Sequence, residues 1–167
     1  MADGMAAAQA AALYKRDFYA WARQQADALR RADRGARPEE IDFMNLSEEV
    51  EDLARRERQQ LAERIETIAE HLAELQFSPA QDPRAGWRAT VRRTRSAIAR
   101  LLDDSPSLRR ELNDLVERSA PPAVLAAVEE LKERGEVDAG VMAALGAASY
   151  TVDEIVSPDW WPDAMPR

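Results

Sequence analysis

The fold is decided by residues 42–77, which contain neither proline nor glycine and read DFMNLSEEVEDLARRERQQLAERIETIAEHLAELQF. Alanine, leucine, glutamate and arginine dominate this stretch, and they are among the strongest helix formers. Apolar side chains recur at the three- and four-residue spacing of one helix face; they are Leu46, Val50, Leu53, Leu61, Ile65, Ile68, Leu72 and Leu75. The stretch predicts one long helix that begins near Asp42 or Asn45, both good N-cap residues, and ends near Phe77.

Similar segments on either side predict three further main helices. The first is expected at Leu13–Arg31, with Tyr14, Phe18, Trp21, Gln25 and Leu29 as its apolar stripe, the next at about Ala85–Leu102, and the last from Pro106 onward. Pro121 and Pro122 interrupt this last helix, because proline removes a backbone donor and clashes with the preceding turn. The sequence leaves two readings open there: a sharp kink, or a fresh helix that continues to Arg134 and is closed by Gly135.

The C-terminal part predicts a short helical extension. A helix is expected around Val137 to Leu145, and Thr151 is expected to cap a final turn with Glu154 as its capping-box partner. The fold class is therefore all-α, an up-and-down bundle of four main helices with a short helical C-terminal extension. The expected organisation is a flexible segment at residues 1–12, a single helical-bundle domain at 13–162 and a tail at 163–167, with the Pro158–Trp161 segment docked on the bundle.

Two neighbouring segments differ sharply in charge. Residues 42–76 carry a net charge of −6, whereas residues 84–110 carry eight arginines against Asp103 and Asp104, a net of +6. Either the acidic and basic segments pair with one another inside the fold, or the basic helix binds an anionic partner.

The positions of these charges favour internal pairing. Arg84, Arg88, Arg92 and Arg95 fall within roughly 80° of one another on a helical wheel and lie beside the apolar stripe, not opposite it. Glu57 lies on the apolar face of its helix, where an unpaired carboxylate is costly. We expect a semi-buried network that joins Glu49 and Glu57 to some of Arg88, Arg92 and Arg95. The alternative is that Glu57 turns outward from a loosely packed helix end.

Five ordered motifs resemble a known family. They are Tyr14–Trp21 (YKRDFYAW), Asp42–Leu53 (DFMNLSEEVEDL), Trp87–Val91 (WRATV), Asp104–Leu108 (DSPSL) and Tyr150–Ile155 (YTVDEI), the last followed by Pro158-Asp159-Trp160. In order and spacing they resemble the bacterial family named only as domain of unknown function 29, over about residues 13–162. The resemblance implies a helical-bundle fold and brings no activity, cofactor or catalytic residue.

The composition excludes many kinds of chemistry. The absence of cysteine rules out disulfides, thiolate nucleophiles and iron–sulfur clusters, and His71 is the only histidine. The pair His71 and Glu74 offers at most two metal ligands, whereas a carboxylate-bridged di-iron bundle needs a Glu-x-x-His pair twice. Glu49, Glu57 and Asp52 lie beside arginines, which lower carboxylate pKa values and make them poor general acids. No phosphate loop or nucleophile motif is present, so no cofactor is expected and an enzyme is disfavoured.

The remaining reading is a non-catalytic protein-interaction or assembly module that acts on an unknown partner or on itself. Its candidate interaction surface comprises Arg84, Trp87, Trp160 and Trp161, because aromatic side chains and arginine anchor many interfaces. Nucleic-acid binding by the arginine row is the alternative, and the net charge of −8 works against it. The N-terminal segment is too short and too weakly apolar for a membrane span, so no membrane partner and a cytoplasmic location are expected.

Overall fold

A computed structural model describes residues 2–32, 42–138 and 150–163, and the secondary structure in these ranges is helical, without strands. The elements are α1 (Ala2–Arg16), α2 (Phe18–Arg31), α3 (Phe43–Phe77), α4 (Arg84–Asp104), a 3-10 helix (Pro106–Glu111), α5 (Leu112–Glu133) and α6 (Val152–Val156). The predicted all-α fold is confirmed, and the α-helices of these ranges are compatible with a helical bundle.

The chain divides into two compact units. The first unit comprises Met1–Gln60 and Leu101–Arg110, and the second comprises Leu61–Arg100 and Glu111–Arg167. The single domain that the sequence predicts over residues 13–162 stays a prediction. Of the expected tail at 163–167, only Asp163 lies within the described ranges.

The N-terminal helix of the first unit differs from the prediction in two ways. It begins at Ala2 rather than Leu13, so most of the segment expected to be flexible is helical, in keeping with the high helix propensity of alanine. It also ends at Arg16, and Asp17 separates it from α2 in an extended conformation. The Asp17 carboxylate accepts the N–H of Ala20 at 2.9 Å as an N-cap. The same carboxylate accepts the Ser107 N–H at 2.8 Å and its hydroxyl at 2.9 Å, which ties the break to the 3-10 helix.

The buried face of α2 is made of small residues and one tyrosine. Tyr19, Ala22 and Ala26 are buried, whereas the predicted aromatic stripe lies at the edge of this face. Tyr14 is 52% exposed, and its ring lies edge-on to Trp21 at a centroid distance of 4.8 Å.

The long helix α3 confirms its predicted stripe only in part. In the second unit Leu61, Ile65, Ile68, Leu72 and Leu75 are all buried, as predicted. In the first unit the buried positions are Ser47 and Ala54, whereas Leu46 is 42% exposed. Before residue 60, α3 has few apolar residues and many acidic ones. The small side chains of Ser47 and Ala54 therefore occupy its buried positions.

The core of the second unit continues on α4 and α5. Val91 and Ile98 of α4 are buried, together with Leu112, Leu115 and Val116 of α5. Burial of aliphatic side chains of this size contributes about 1.5–3 kcal/mol each. Val91 and Ile98 are seven residues apart, and Leu112, Leu115 and Val116 follow the three- and four-residue spacing of one helix face.

Pro121 and Pro122 do not end α5, which runs as one helix from Leu112 to Glu133. Of the two readings left open, the fresh helix is wrong, because α5 is continuous and residues on both sides of the prolines, such as Ala120 and Val124, are buried. The kink stays a prediction. Both prolines are exposed, so their rings lie on the outer side of the helix.

The end of α5 and the start of α6 confirm the predicted caps. Gly135 has a φ of +72°, its N–H bonds the Lys132 carbonyl, and the Glu136 N–H bonds the Leu131 carbonyl, which is a Schellman motif. Thr151 and Glu154 form the expected capping box. The helix predicted around Val137 to Leu145 falls largely outside the described residues, and Val137 itself is not helical.

Substitution of Asp17 by alanine is expected to lower the free energy of unfolding by about 2–3 kcal/mol, because it removes an N-cap and two further hydrogen bonds. Urea unfolding measures this change. Asp27→Ala is the matched control, since Asp27 forms an exposed ion pair with Arg30 at 3.2 Å, and pairs of this kind contribute about 0–1 kcal/mol. Equal losses in the two variants would show that Asp17 does not hold the junction.

Candidate functional site

The arginine row on α4 concentrates positive charge on one helix. Between residues 84 and 100 the helix carries six arginines and no acidic side chain. All of these positions lie in the second unit. Arg84 and Arg88 are half-buried, Arg92 is exposed and Arg95 is buried at 4% exposure.

Arg84 caps the C-terminal end of α3. Its guanidinium donates to the Leu75 carbonyl at 2.7 Å and to the Ser78 carbonyl at 3.1 Å. The last carbonyls of a helix lack partners within the helix and carry partial negative charge, so a cation is favourable there. Arg84 is thus occupied by its own unit instead of being free for a partner.

Arg95 caps the C-terminal end of α6 in the same way, through all three nitrogens of its guanidinium. Nε donates to the Ile155 carbonyl at 2.9 Å, Nη2 to the Glu154 carbonyl at 2.7 Å and Nη1 to the Trp160 carbonyl at 2.9 Å. Its hydrogen-bond partners are main-chain carbonyls, whereas carboxylates were expected for some of Arg88, Arg92 and Arg95. The reason is geometric, because the planar fork of a guanidinium fits several converging acceptors.

The Trp161 ring lies among three guanidiniums of the row. The central carbon of Arg88 is 4.8 Å from the ring centroid, that of Arg95 is 5.1 Å away and that of Arg92 is 5.4 Å away. These separations are within the range of cation–π attraction. The ring is half-buried and covered by cations of its own unit, so it does not present a free aromatic face.

Trp160 is held in the same segment by different contacts. Its ring lies edge-on to Tyr150 at a centroid distance of 6.0 Å, and the Tyr150 hydroxyl donates to the Gln76 side chain at 2.9 Å. Burial raises the pKa of Tyr150, helped by the negative charge of Glu154. The predicted docking of the tryptophan segment is therefore seen within the second unit. The predicted interaction role of Arg84, Trp87, Trp160 and Trp161 stays a prediction.

The row keeps its charge. Desolvation lowers the pKa of Arg95 to about 10, so its guanidinium is protonated at neutral pH. Carbonyl dipoles and an aromatic face stabilise a cation without neutralising it. In the described part of the second unit, no carboxylate forms an ion pair with Arg88, Arg92 or Arg95.

The acidic members of the predicted network lie in the first unit. Glu49 is exposed, whereas Glu57 is half-buried and accepts the Ser105 hydroxyl at 3.3 Å. Ser105 is buried and its oxygen in turn accepts the Tyr19 N–H at 3.2 Å. The Glu57 carboxylate thus has a polar partner within its own unit. The pairing of Glu49 and Glu57 with some of the α4 arginines stays a prediction.

A second cluster of charges surrounds His71. Its Nδ1 lies 2.6 Å from the Glu74 carboxylate, and the other oxygen of Glu74 lies 3.7 Å from Arg134. Arg134 also pairs with Glu136 at 3.5 Å, and Glu136 accepts the Ser78 hydroxyl. The hydrogen bond with Glu74 raises the pKa of His71, and the charges of Glu74 and Glu70 add to this effect against the cost of desolvation. This cluster links the end of α3 to the residues after α5 and has the character of a structural ion-pair network.

The described ranges hold no group of three histidine, cysteine or acidic side chains placed to bind a metal ion. None of their helices combines the length and the apolar character needed to cross a bilayer.

Sequence reasoning found the arginines but missed their partners. On the helical wheel Arg95 lies within about 60° of both buried positions Val91 and Ile98, which signals burial. Nothing in a helical wheel shows that the acceptors are carbonyls of a segment some 60 residues later.

Comparisons with known proteins agree with the fold and are silent on activity. The family model described as "Domain of unknown function DUF29" matches residues 13–161. The crystal structure of an alpha-helical protein of unknown function from Rhodospirillum rubrum is similar, with a TM-score of 0.67 and 27% sequence identity. The similarity covers 87% of this chain and 90% of that one. A comparison with curated proteins gave no match.

Replacement of Arg95 by alanine is expected to lower the free energy of unfolding by about 3 kcal/mol, because three carbonyls lose a charged donor. The near-UV circular dichroism of the tryptophans should weaken in the same variant, since the Trp160–Trp161 segment loses its anchor. Arg93→Ala is the control and should match the wild type, because Arg93 is exposed and donates to none of these carbonyls. An unchanged tryptophan signal in Arg95→Ala would contradict the anchoring role.

The His71–Glu74 pair is expected to make stability depend on pH. The folded pKa of His71 is raised, so the stabilisation is complete below the unfolded value of 6.5 and is lost as the pH rises through the folded pKa. The difference in unfolding free energy between wild type and His71→Gln should therefore be larger at pH 5.5 than at pH 9. Urea unfolding at the two pH values measures it, and Gln24→Ala serves as a control at an exposed position of the other unit. A difference that does not change with pH would rule the ion pair out.

Proposed function

We propose, for a chain that belongs to the domain of unknown function DUF29 family, that it is a non-catalytic protein-interaction module and that α4 binds an acidic segment of a partner protein. One observation carries the proposal: the exposed arginines of α4 form no ion pair in the described part of the second unit, and Arg92 is held against the Trp161 ring, which leaves its positive charge available. An interaction surface gains from side chains that are held in position before binding, because less conformational entropy is lost.

The outward side of α4 is suited to such a partner. On a helical wheel, Arg92, Arg93 and Arg100 fall within about 100° of one another, and all three are exposed. We call these three residues the α4 cationic face. The positions between them are small and exposed, namely Ala85, Ala89 and Ser96. A carboxylate side chain can therefore approach the guanidiniums without first displacing bulky neighbours.

Carboxylates match this face chemically. A guanidinium can bind a carboxylate through two parallel hydrogen bonds, which adds directional preference to the charge attraction. In the described part of the second unit no acid forms an ion pair with the α4 cationic face. A carboxylate of the partner can therefore bind these guanidiniums without first breaking an internal ion pair.

A protein partner is favoured over nucleic acid for two reasons. Single-strand binding relies on aromatic side chains whose faces are open to stack on bases, and the Trp161 ring is covered by Arg88, Arg92 and Arg95. The net charge of −8 also repels a long polyanion more strongly than a short acidic segment.

The proposal is tested with a fluorescein-labelled peptide of twelve glutamates, whose binding is followed by fluorescence anisotropy. Reversal of charge in Arg92→Glu/Arg93→Glu is expected to weaken binding at least tenfold, because two attractive contacts become repulsive. Binding by the wild type should also weaken as NaCl rises from 50 to 300 mM, since exposed charges are screened.

The matched control is Arg109→Glu/Arg110→Glu, an adjacent arginine pair that is likewise exposed but belongs to the first unit. It changes net charge by the same amount and should leave binding within twofold of the wild type. Equal losses in the two double variants would show only a general charge effect and would overturn the proposal. A labelled twelve-nucleotide thymidine strand that binds more tightly than the peptide would favour the nucleic-acid alternative instead.

A further inference from the structure

A cavity of about 390 Å³ lies beside α5 and the start of α6, within the second unit. Its walls include Asn113, Glu117 and Pro121 from α5, with Tyr150 and Val152 opposite. Small-molecule sites in proteins have volumes of about 300–1,000 Å³ and combine apolar walls with a few polar groups. The arginine row contributes nothing to this cavity, so it is a separate feature of the molecule.

Pro121 gives the cavity an unusual hydrogen-bond acceptor. In a helix, the N–H of residue 121 would bond the carbonyl of Glu117, and proline has no N–H. Residues 117 and 121 lie on the same face of α5, and both line the cavity. The Glu117 carbonyl therefore lies on the cavity side of the helix without its usual helical donor.

The side chains that line the cavity add further hydrogen-bond acceptors, and none of them is cationic. Glu117 is exposed, and the ion pairs of the described residues do not include it. The neighbouring Arg118 pairs with Asp114 at 3.7 Å instead. Asn113 lies one turn earlier on the same face and offers an amide oxygen.

The opposite wall supplies an aromatic surface. The Tyr150 hydroxyl donates to Gln76 at 2.9 Å, so the cavity meets the tyrosine as a buried ring and not as a free phenol. The Thr151 hydroxyl is already engaged with Glu154 in the capping box. The cavity thus combines a carboxylate, a carbonyl without its helical partner and an aromatic ring beside Val152.

We propose that this cavity binds a primary alkylammonium group. The ammonium has three N–H donors, which match the Glu117 carboxylate, the Glu117 carbonyl and the Asn113 amide oxygen. Its positive charge is attracted to the carboxylate and to the Tyr150 ring, while its alkyl chain covers Val152. A free small amine and the side chain of a lysine carry this group equally, so the shared chemistry defines the site.

The test is a titration of the uniformly ¹⁵N-labelled protein with n-butylammonium chloride, observed by amide NMR. Shifts are expected at Asn113, Glu117 and Val152, with a Kd of about 1–10 mM for so small a ligand. Butan-1-ol, which has the same chain without the charge, should cause no saturable shift. Glu117→Gln should weaken binding about tenfold, because it keeps the shape of the side chain and removes its charge.

Two prolines provide a matched pair of variants. Pro121→Ala restores a donor to the Glu117 carbonyl and should weaken binding at least threefold. Pro122→Ala restores the same kind of hydrogen bond to the Arg118 carbonyl, one position around the helix, and should leave the Kd unchanged. Circular dichroism checks that both variants keep the helix. Equal behaviour of the two proline variants, or of Glu117→Gln and Glu129→Gln on the same helix, would overturn the site.

A capped tripeptide with glycine on either side of lysine distinguishes the sources of the ammonium. Tighter binding of the tripeptide than of n-butylammonium assigns the site to lysine side chains of proteins. Equal or weaker binding assigns it to free amines. Shifts scattered over the surface, without saturation at the cavity residues, would contradict a built site.

Discussion

The guanidinium of Arg95, with three carbonyls around it, is the interaction on which the second unit depends. Burial of a charged group costs several kcal/mol unless its donors are satisfied, and here each of the three nitrogens has an acceptor within 2.9 Å. Two of the acceptors are carbonyls of the last turn of α6, which no helical N–H satisfies. The Arg95 side chain thus offsets the cost of its own burial. It also satisfies carbonyls that lack helical donors at the end of the five-residue helix α6. Without it, so short a helix has little reason to stay formed, because nucleation of a helix is costly.

A second arginine of the row also satisfies carbonyls at the end of another helix. Arg84 at one end of α4 satisfies carbonyls at the end of α3, and Arg95 satisfies those of α6, so both act as C-terminal caps supplied by another helix. Between them, Arg88 and Arg92 lie against Trp161. Dipoles and ring electrons stabilise cations without cancelling them, unlike a carboxylate. The row therefore holds the C-terminal segment and keeps its positive charge, so this structural role does not exclude the binding role that we propose for α4.

Much of this architecture could be predicted from the sequence, for physical reasons. Pro83 and Gly135 mark helix ends, as expected. The stripe from Leu61 to Leu75 follows from helical spacing, because large aliphatic side chains are buried almost wherever they recur on one face. The capping box at Thr151 is equally local. The break at Asp17 was missed because its second partner, Ser107, is distant in the chain. The carbonyl partners of Arg95 were missed for the same reason: charge patterns reveal carboxylates, whereas any residue can offer a carbonyl.

The two prolines of α5 show how tertiary packing overrides a local preference. Each removes a helical hydrogen bond, and a proline inside a helix costs about 3 kcal/mol in isolation. The helix nevertheless continues, because its buried side holds a row of packed residues before and after the prolines, including Val116, Ala120 and Val124. Both rings lie on the exposed side, so water or a ligand can reach the carbonyls that they leave without donors. Packing thus fixes the helix, and the outer face keeps an acceptor that an ordinary helix does not have. That acceptor borders the cavity, so the residues that contradict helix propensity are the ones that give this surface its chemistry.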